Sequence, residues 1–251
     1  MRTQTQLRHT RTRLRPRYAL FPLEGYPTSN LPHWTGTESR ILTSPAMGAA
    51  FVQYFLNVQA GGGTRVKADG HVETFLYLLS GAAELAVEGE GVHALSAGGF
   101  ALVPPAADFR FTAGEASEVL MLRKRFEPAS GLEGPPLVVG HEADVPANVW
   151  MKIEGSRLQT LIPDDLRFDI AMNIFTFEPG YSLPVVETHV MEHGLYFMQG
   201  KGLYYLGDEW MEVEAGDFIW MGPYVPQSFY ATGPIASKYL YYKNVNRDIP
   251  L

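Results

Sequence analysis

The sequence predicts an all-β protein in which one barrel or sandwich is present twice. Three observations carry that reading. Of 251 residues, 46% are hydrophobic and 12% aromatic, charged residues make up 19%, and Gly (25) and Pro (18) are plentiful. Such a chain can build a core, and it is punctuated by turns. Short runs rich in Val, Phe, Tyr and Leu are bounded by Gly, Pro and Asp, as strands of a sandwich or barrel are. Finally, the succession repeats at an offset of 118 or 119 residues. Glu73-Thr74-Phe75-Leu76-Tyr77-Leu78-Leu79-Ser80-Gly81 matches Glu192-His193-Gly194-Leu195-Tyr196-Phe197-Met198-Gln199-Gly200. The run from Gly98 to Pro105 matches Gly216 to Pro223, and Phe51–Phe55 parallels Asp169–Phe175. A near-constant offset over several strands marks a duplicated domain.

The elements follow in order. Residues 1–45 read as an N-terminal arm and extended lead-in. The first 17 positions hold Arg2, Arg8, Arg11, Arg13, Arg15 and Arg17 and no acid, and Pro recurs at 22, 27, 32 and 45. The remainder then carries fourteen basic against twenty-seven acidic residues, so the arm is expected to pack on an acidic body or a partner subunit. A basic arm also suits nucleic acid or anionic lipid. Residues 46–126 form the first barrel, with strands at Leu76–Leu79, Ala83–Val87, Phe100–Val103 and Phe109–Phe111. Residues 127–165 are Pro/Gly-rich and weakly periodic, which predicts a linker with one short helix or turn near Gly155–Leu161. Residues 166–251 form the second barrel, with strands at Ala171–Phe177, Leu195–Met198, Leu203–Leu206, Phe218–Met221 and Tyr239–Tyr242.

Composition excludes several classes. The chain has no cysteine, so disulfides and thiolate metal sites are out, in keeping with a cytoplasmic protein. No run of about eighteen apolar residues suggests a membrane span, and no apolar signal-peptide core follows the N-terminus. No helix-turn-helix pattern precedes the barrels, so nucleic acid is not an expected partner.

The chemistry concentrates in Glu187-Thr188-His189-Val190-Met191-Glu192-His193. On strands, Glu187 and His189 project to one face. A turn after His189 brings His193 back beside them from the next strand. Gln227, from a second hairpin fixed by Gly222-Pro223 and Pro226, completes a four-ligand set of Glu187, His189, His193 and Gln227. Carboxylate, imidazole and amide donors without thiolate admit Mn²⁺, Fe²⁺, Ni²⁺ or Zn²⁺, and the two oxygen donors favour Mn²⁺. One negative charge against a divalent ion leaves about one positive charge, which attracts an anionic substrate group and can polarise a carbonyl or activate water. Lys243 offers an ammonium, a point charge able to pair with a substrate carboxylate. Tyr239, four residues earlier, shares its strand face. Tyr204, in the same barrel, is a further candidate for the pocket wall. By the repeat register the four ligands correspond to Ala68, Gly70, Thr74 and Phe109. The first barrel is therefore expected to hold no metal, and His71 and Glu73 fall out of register.

This pattern resembles the cupin superfamily. Gly180, Glu187, His189, His193 and Gly200 occupy its first motif with one extra residue after Gly180 and with Glu and His exchanged. Gln227 stands where the second motif, Pro-x-Gly-x2-His, ends. The repeat makes the chain similar to a bicupin, two tandem cupin barrels of the double-stranded β-helix or jelly-roll kind. Glu-x-His-x3-His with Gln resembles the (S)-ureidoglycine aminohydrolase family. Leu42-Thr43-Ser44-Pro45 and Tyr241-Tyr242-Lys243-Asn244-Val245-Asn246-Arg247-Asp248 carry the same resemblance.

That resemblance implies Mn²⁺-dependent hydrolysis of (S)-ureidoglycine to (S)-ureidoglycolate and ammonia in purine, or allantoin, catabolism. It implies that Glu187, His189, His193 and Gln227 hold the metal and that Lys243 and Tyr239 contact the substrate. A mechanistic hypothesis beside it makes Glu187 both ligand and proton acceptor, so that Glu187 and Lys243 are the expected catalytic groups. Glu187, Gln227, Tyr239, Lys243 and Tyr204 would contact the small ureido substrate. Bicupins commonly associate, so a homo-oligomer is expected. Two other classes fit the same frame: a metal-dependent oxygenase or isomerase, and a non-catalytic small-molecule binder.

Overall fold

Side chains alternate across each strand, and in both halves of the chain the inward set is apolar. The computed structural model describes residues 10–249. Arg2 and Arg8 of the arm lie outside the described residues. The chain divides into two units. One comprises Pro27–Val145 with Asp165–Asp169; the other comprises the chain up to Tyr26, Pro146–Asp164 and Ile170–Leu251.

The described residues open with β1 (Arg13–Leu14) and β2 (Tyr18–Pro22), which belong to the second unit. The first unit contains β3 (Trp34–Thr43), β4 (Phe51–Val66), β5 (Val72–Ser80), β6 (Ala82–Val87), β7 (Gly91–Ser96), β8 (Gly99–Val103), β9 (Phe109–Ala113), β10 (Ser117–Arg125) and β11 (Val138–His141). They join in the order β11-β8-β5-β10-β4-β9-β6-β7, with β3 on β4, around Leu56, Leu76, Leu85, Phe111 and Met121.

The second unit continues with β12 (Asn148–Trp150), β13 (Ile153–Thr160), β14 (Ile170–Phe177), β15 (His193–Gln199), β16 (Lys201–Leu206), β17 (Glu209–Glu214), β18 (Asp217–Met221), β19 (Gln227–Ala231) and β20 (Ser237–Asn244). One sheet runs β1-β2-β18-β15-β20-β14-β13-β12 and a second runs β17-β16-β19. Their inward residues, among them Phe177, Phe197, Leu206, Ile219 and Phe229, form one buried cluster.

The nine strands expected from the sequence all lie inside observed ones. The repeat extends to the backbone. Gly81 and Gly200, equivalent in the repeat, have φ of +87° and +77°, and a Cβ there would come within 2.6 Å of the Ala116 and Ala236 carbonyl oxygens. Only glycine turns the chain there without strain.

One expectation fails. No helix forms near Gly155–Leu161; Ile153–Thr160 is strand β13, paired with β14. It packs only part of one face, so its sequence alternation is weak, and Gly155 and Ser156 imitate a turn.

The arm meets acidic groups of its own unit. β2 pairs with β18 (Leu20 opposite Ile219), carrying Arg11 and Arg15 along the outside. The Arg11 guanidinium forks onto Asp217 at 2.6 and 2.7 Å and reaches Glu214 at 2.9 Å. Arg15 binds Glu209 at 2.5 and 2.8 Å. Asp217 is buried, and desolvation lifts its carboxyl above the usual range even with Arg11 beside it. Removing Arg11 would strand that carboxylate. A buried pair broken on one side typically costs about 3–5 kcal/mol. Arg11 is partly exposed, so Arg11→Met is expected to cost about 2–3 kcal/mol in urea unfolding, with much of the loss recovered in the Arg11→Met/Asp217→Asn double variant.

Candidate metal centre and active site

Three segments of the second unit converge on the site. After β14 the chain turns at Gly180 and runs back along β19. Ala231 N donates to Tyr181 O, Leu183 N donates to Phe229 O, and Glu187 and Gln227 exchange both backbone hydrogen bonds, at 2.8 and 2.9 Å. This pins the Glu187 segment to the start of β19. Tyr224 N donates to His189 O at 2.7 Å, with Tyr224 in the left-handed region (φ 60°). The arm supports the same loop, since Gly222 N donates to Arg17 O and the Arg17 guanidinium donates to Pro223 O. His193 opens β15 directly opposite Lys243 of β20. Opposed residues share a face, and alternation adds Tyr239 and Tyr241 to it.

The result is one cavity of about 160 Å³, small beside the roughly 300–1,000 Å³ typical of pockets for drug-sized ligands. Glu187, His189, His193 and Gln227 line it, as do Tyr204, Tyr239 and Lys243. Sequence reasoning missed the rest of the wall. Tyr241 was within reach, because it lies between Tyr239 and Lys243 on the same strand face. Phe175, Leu183 and Leu195 look like any core residue. Trp150 and Leu158 sit in the stretch read as a linker.

The imidazoles decide what the cavity can hold. His193 Nδ1 donates to Tyr242 O at 2.9 Å, and His189 Nδ1 donates to Met191 O at 3.2 Å. Burial pushes both rings below the ordinary imidazole value, His193 to about 3, so both are neutral near pH 7. A neutral ring with its proton on Nδ1 presents a bare lone pair at Nε2. The two Nε2 atoms stand 3.2 Å apart, with no proton between them.

Gln227 closes this group. Its Nε2 is 3.2 Å from His189 Nε2, and its Oε1 accepts from Tyr204 OH at 2.7 Å. Turning the amide by half a revolution would bring Oε1 to the imidazoles, and the Tyr204 hydroxyl, donor or acceptor alike, would take Nε2–H instead. Glu187 is half-buried; desolvation raises its carboxyl above the usual range and Lys243 opposes that. Among the described residues no three His, Cys, Asp or Glu side chains are close enough together to hold a metal by themselves. The structure thus brings both imidazoles and the Gln227 amide into contact and leaves Glu187 on the cavity wall. Convergent, unprotonated imidazole nitrogens with amide and carboxylate oxygens nearby fit a borderline or hard divalent cation.

The corresponding place in the first unit differs. Ala68, Thr74 and Phe109 surround a space of only about 10 Å³, and neither His71 nor Glu73 lines it. That unit also carries an open groove of about 980 Å³ beside Trp34, Glu38, Asn57 and Glu118. It contains no imidazole, so convergence of donors, not size, marks the site.

Fold and site together define a bicupin, and the cupin domain model matches residues 173–241, across the cavity-bearing unit. Bacillus subtilis oxalate decarboxylase has the same fold, with a TM-score of 0.71 over 92% of this chain and 78% of that one at 13% identity. A glyoxylate-induced protein from Pseudomonas aeruginosa superposes with a TM-score of 0.89 at 35% identity, covering 97% of this chain and 93% of that one. The (S)-ureidoglycine aminohydrolase of Escherichia coli (strain K12) is 34% identical over 93% of this chain and 90% of its own length. The chain belongs to the (S)-ureidoglycine aminohydrolase family, hydrolases that act on C–N bonds.

Tyr204 holds the Gln227 amide from behind. Tyr204→Phe is expected to weaken divalent-metal affinity by about 10–100-fold, the usual effect of losing a group that orients a ligand. Calorimetric titration of the two proteins checks this.

Proposed function

We propose that this chain hydrolyses (S)-ureidoglycine to (S)-ureidoglycolate and ammonia, as a step of purine catabolism, with Mn²⁺ held by Glu187, His189, His193 and Gln227. The observation that carries the reading is the single small cavity in which two neutral imidazoles, an amide, a carboxylate and an ammonium meet. Family membership supplies the substrate. A bound divalent cation would contribute Lewis-acid charge and favour ionisation of water.

The chain's own groups account for the rest. In the net reaction a bond forms between water oxygen and the substrate α-carbon. The bond from that carbon to its amino nitrogen breaks, and the nitrogen leaves as ammonia after gaining a proton. Lys243 pairs with the substrate carboxylate and orients the α-carbon. Glu187 accepts the proton from water and returns it to the leaving nitrogen. Tyr239 offers its hydroxyl to the ureido group, and Tyr204, whose hydroxyl holds the Gln227 amide, walls the cavity beside it. Phe175, Leu195 and Leu158 wall the cavity and limit entry of bulk water. The partner is a small molecule; a cytoplasmic homo-oligomer is the expected form of the protein.

The test is ammonia release from freshly generated (S)-ureidoglycine by Mn²⁺-loaded protein. His189→Ala supplies the baseline, because this substrate decays unaided. Release well above the variant supports the reading, and equal rates with metal bound contradict it. In the same assay Lys243→Met should lower kcat/KM by roughly 10–100-fold, the loss of one charge-assisted hydrogen bond.

A further inference from the structure

We propose that Trp150 sets the size limit of the substrate, admitting an α-carbon that bears no side chain and shutting out one that does. The inference rests on the ureido-acid reading above and adds the residue that narrows it.

Trp150 ends β12, the edge strand of its sheet. Asn148 lies opposite Leu158, and Leu158 lies opposite Phe175. Trp150 lines the cavity beside Leu158 and Phe175. Its ring meets Phe175 edge-on at 5.1 Å and 89°. Phe175 stacks on Tyr241 at 5.7 Å, and Tyr241 stands edge-on to His193 at 5.5 Å. A line of rings therefore runs from Trp150 to a metal-binding imidazole. Phe175 and Tyr241 are buried, whereas Trp150 is only partly buried and forms the outer end of that line.

The hairpin that carries Trp150 holds it firmly. The ladder is regular to Val149 opposite Arg157 and then shifts, so that Trp150 pairs with Ile153. The two residues between them, Met151 and Lys152, have φ of 48° and 63°. Two successive left-handed residues make the tight turn that normally calls for Asn or Gly. Side chains with a Cβ adopt it at a cost, and such costs gather where a functional residue must be held. The turn leaves Trp150 little freedom to swing away from the mouth.

The cavity is thus divided by chemistry. Lys243, Glu187, Gln227 and the imidazoles make the polar side, which takes the carboxylate, amino and ureido groups. Trp150, Leu158 and Phe175 make the apolar side, which faces whatever else the α-carbon bears. With only about 160 Å³ available in total, little beyond hydrogen fits there.

Two stable ureido acids that differ by one isopropyl group, N-carbamoylglycine and N-carbamoylvaline, probe this directly. Their affinities for metal-loaded wild type, Trp150→Ala and Trp150→Leu would be measured by calorimetry, with circular dichroism reporting the fold of each. The wild type is expected to bind N-carbamoylglycine at least about tenfold more tightly, the scale of discrimination a shaped apolar pocket gives. Trp150→Ala should bring the two affinities close to equality by gaining the larger ligand, and Trp150→Leu should fall between. Equal affinities in the wild type, or an unchanged ratio in both variants, would overturn the role of Trp150. Turnover of (S)-ureidoglycine by the same preparations separates the failures. An unchanged ratio in active enzyme sinks this inference alone, whereas neither turnover nor binding of either acid sinks the parent reading with it.

Discussion

Two imidazole nitrogens, each with a bare lone pair, face each other at 3.2 Å inside the second barrel. Their other nitrogens are committed to backbone carbonyls, so neither ring can turn its proton inward without breaking a hydrogen bond. Burial keeps both rings neutral. Such an arrangement is unfavourable in isolation and becomes favourable around a cation. Much of the second unit serves to maintain it. The Glu187–Gln227 backbone pair, the Tyr224–His189 hydrogen bond and the opposition of His193 to Lys243 each fix one side chain of the group. The aromatic rings behind them supply the stiffness that a soft loop would lack.

Duplication made this economical. Equivalent strands keep one order, β8-β5-β10-β4 in the first unit and β18-β15-β20-β14 in the second, and the glycine turns recur, so the frame was present twice. In one copy donors fill the mouth; in the other, Ala68, Gly70, Thr74 and Phe109 occupy the equivalent positions, and Phe109 belongs to the core. Phe109 and Gln227 both open their strands, β9 and β19. A single strand-initial position therefore carries a core ring in one half and a polar amide in the other, without disturbing the ladder.

Most of the architecture was legible in the sequence, because burial on one face imposes period-two patterns and the repeat reads each pattern twice. The donors stood out for a similar reason. Glu187, His189 and His193 are too closely spaced, and too polar beside strand-forming runs, to be ordinary core. Some elements went unread because their partners are remote, others because they are short or thinly covered. β2 joins β18 across nearly the whole chain (Phe21 opposite Phe218), and nothing local announces that pairing. β13 is a thinly covered strand, and β12 is a three-residue edge, so neither shows clean alternation. Trp150 was lost with them. Its role depends on a hairpin that only the assembled sheet defines. The half-buried Glu187, by contrast, was legible as a candidate although the structure leaves it on the wall rather than in contact with the imidazoles.

The central claim is that one barrel, and not its twin, gathers the donors for a divalent cation. Its most direct test is the number of Mn²⁺ ions bound per chain after chelator treatment and reloading, by electron paramagnetic resonance or elemental analysis, in the wild type and in His193→Ala. The account predicts one ion per chain in the wild type and its loss in the variant. Two ions per chain, none, or one that survives the substitution would contradict it.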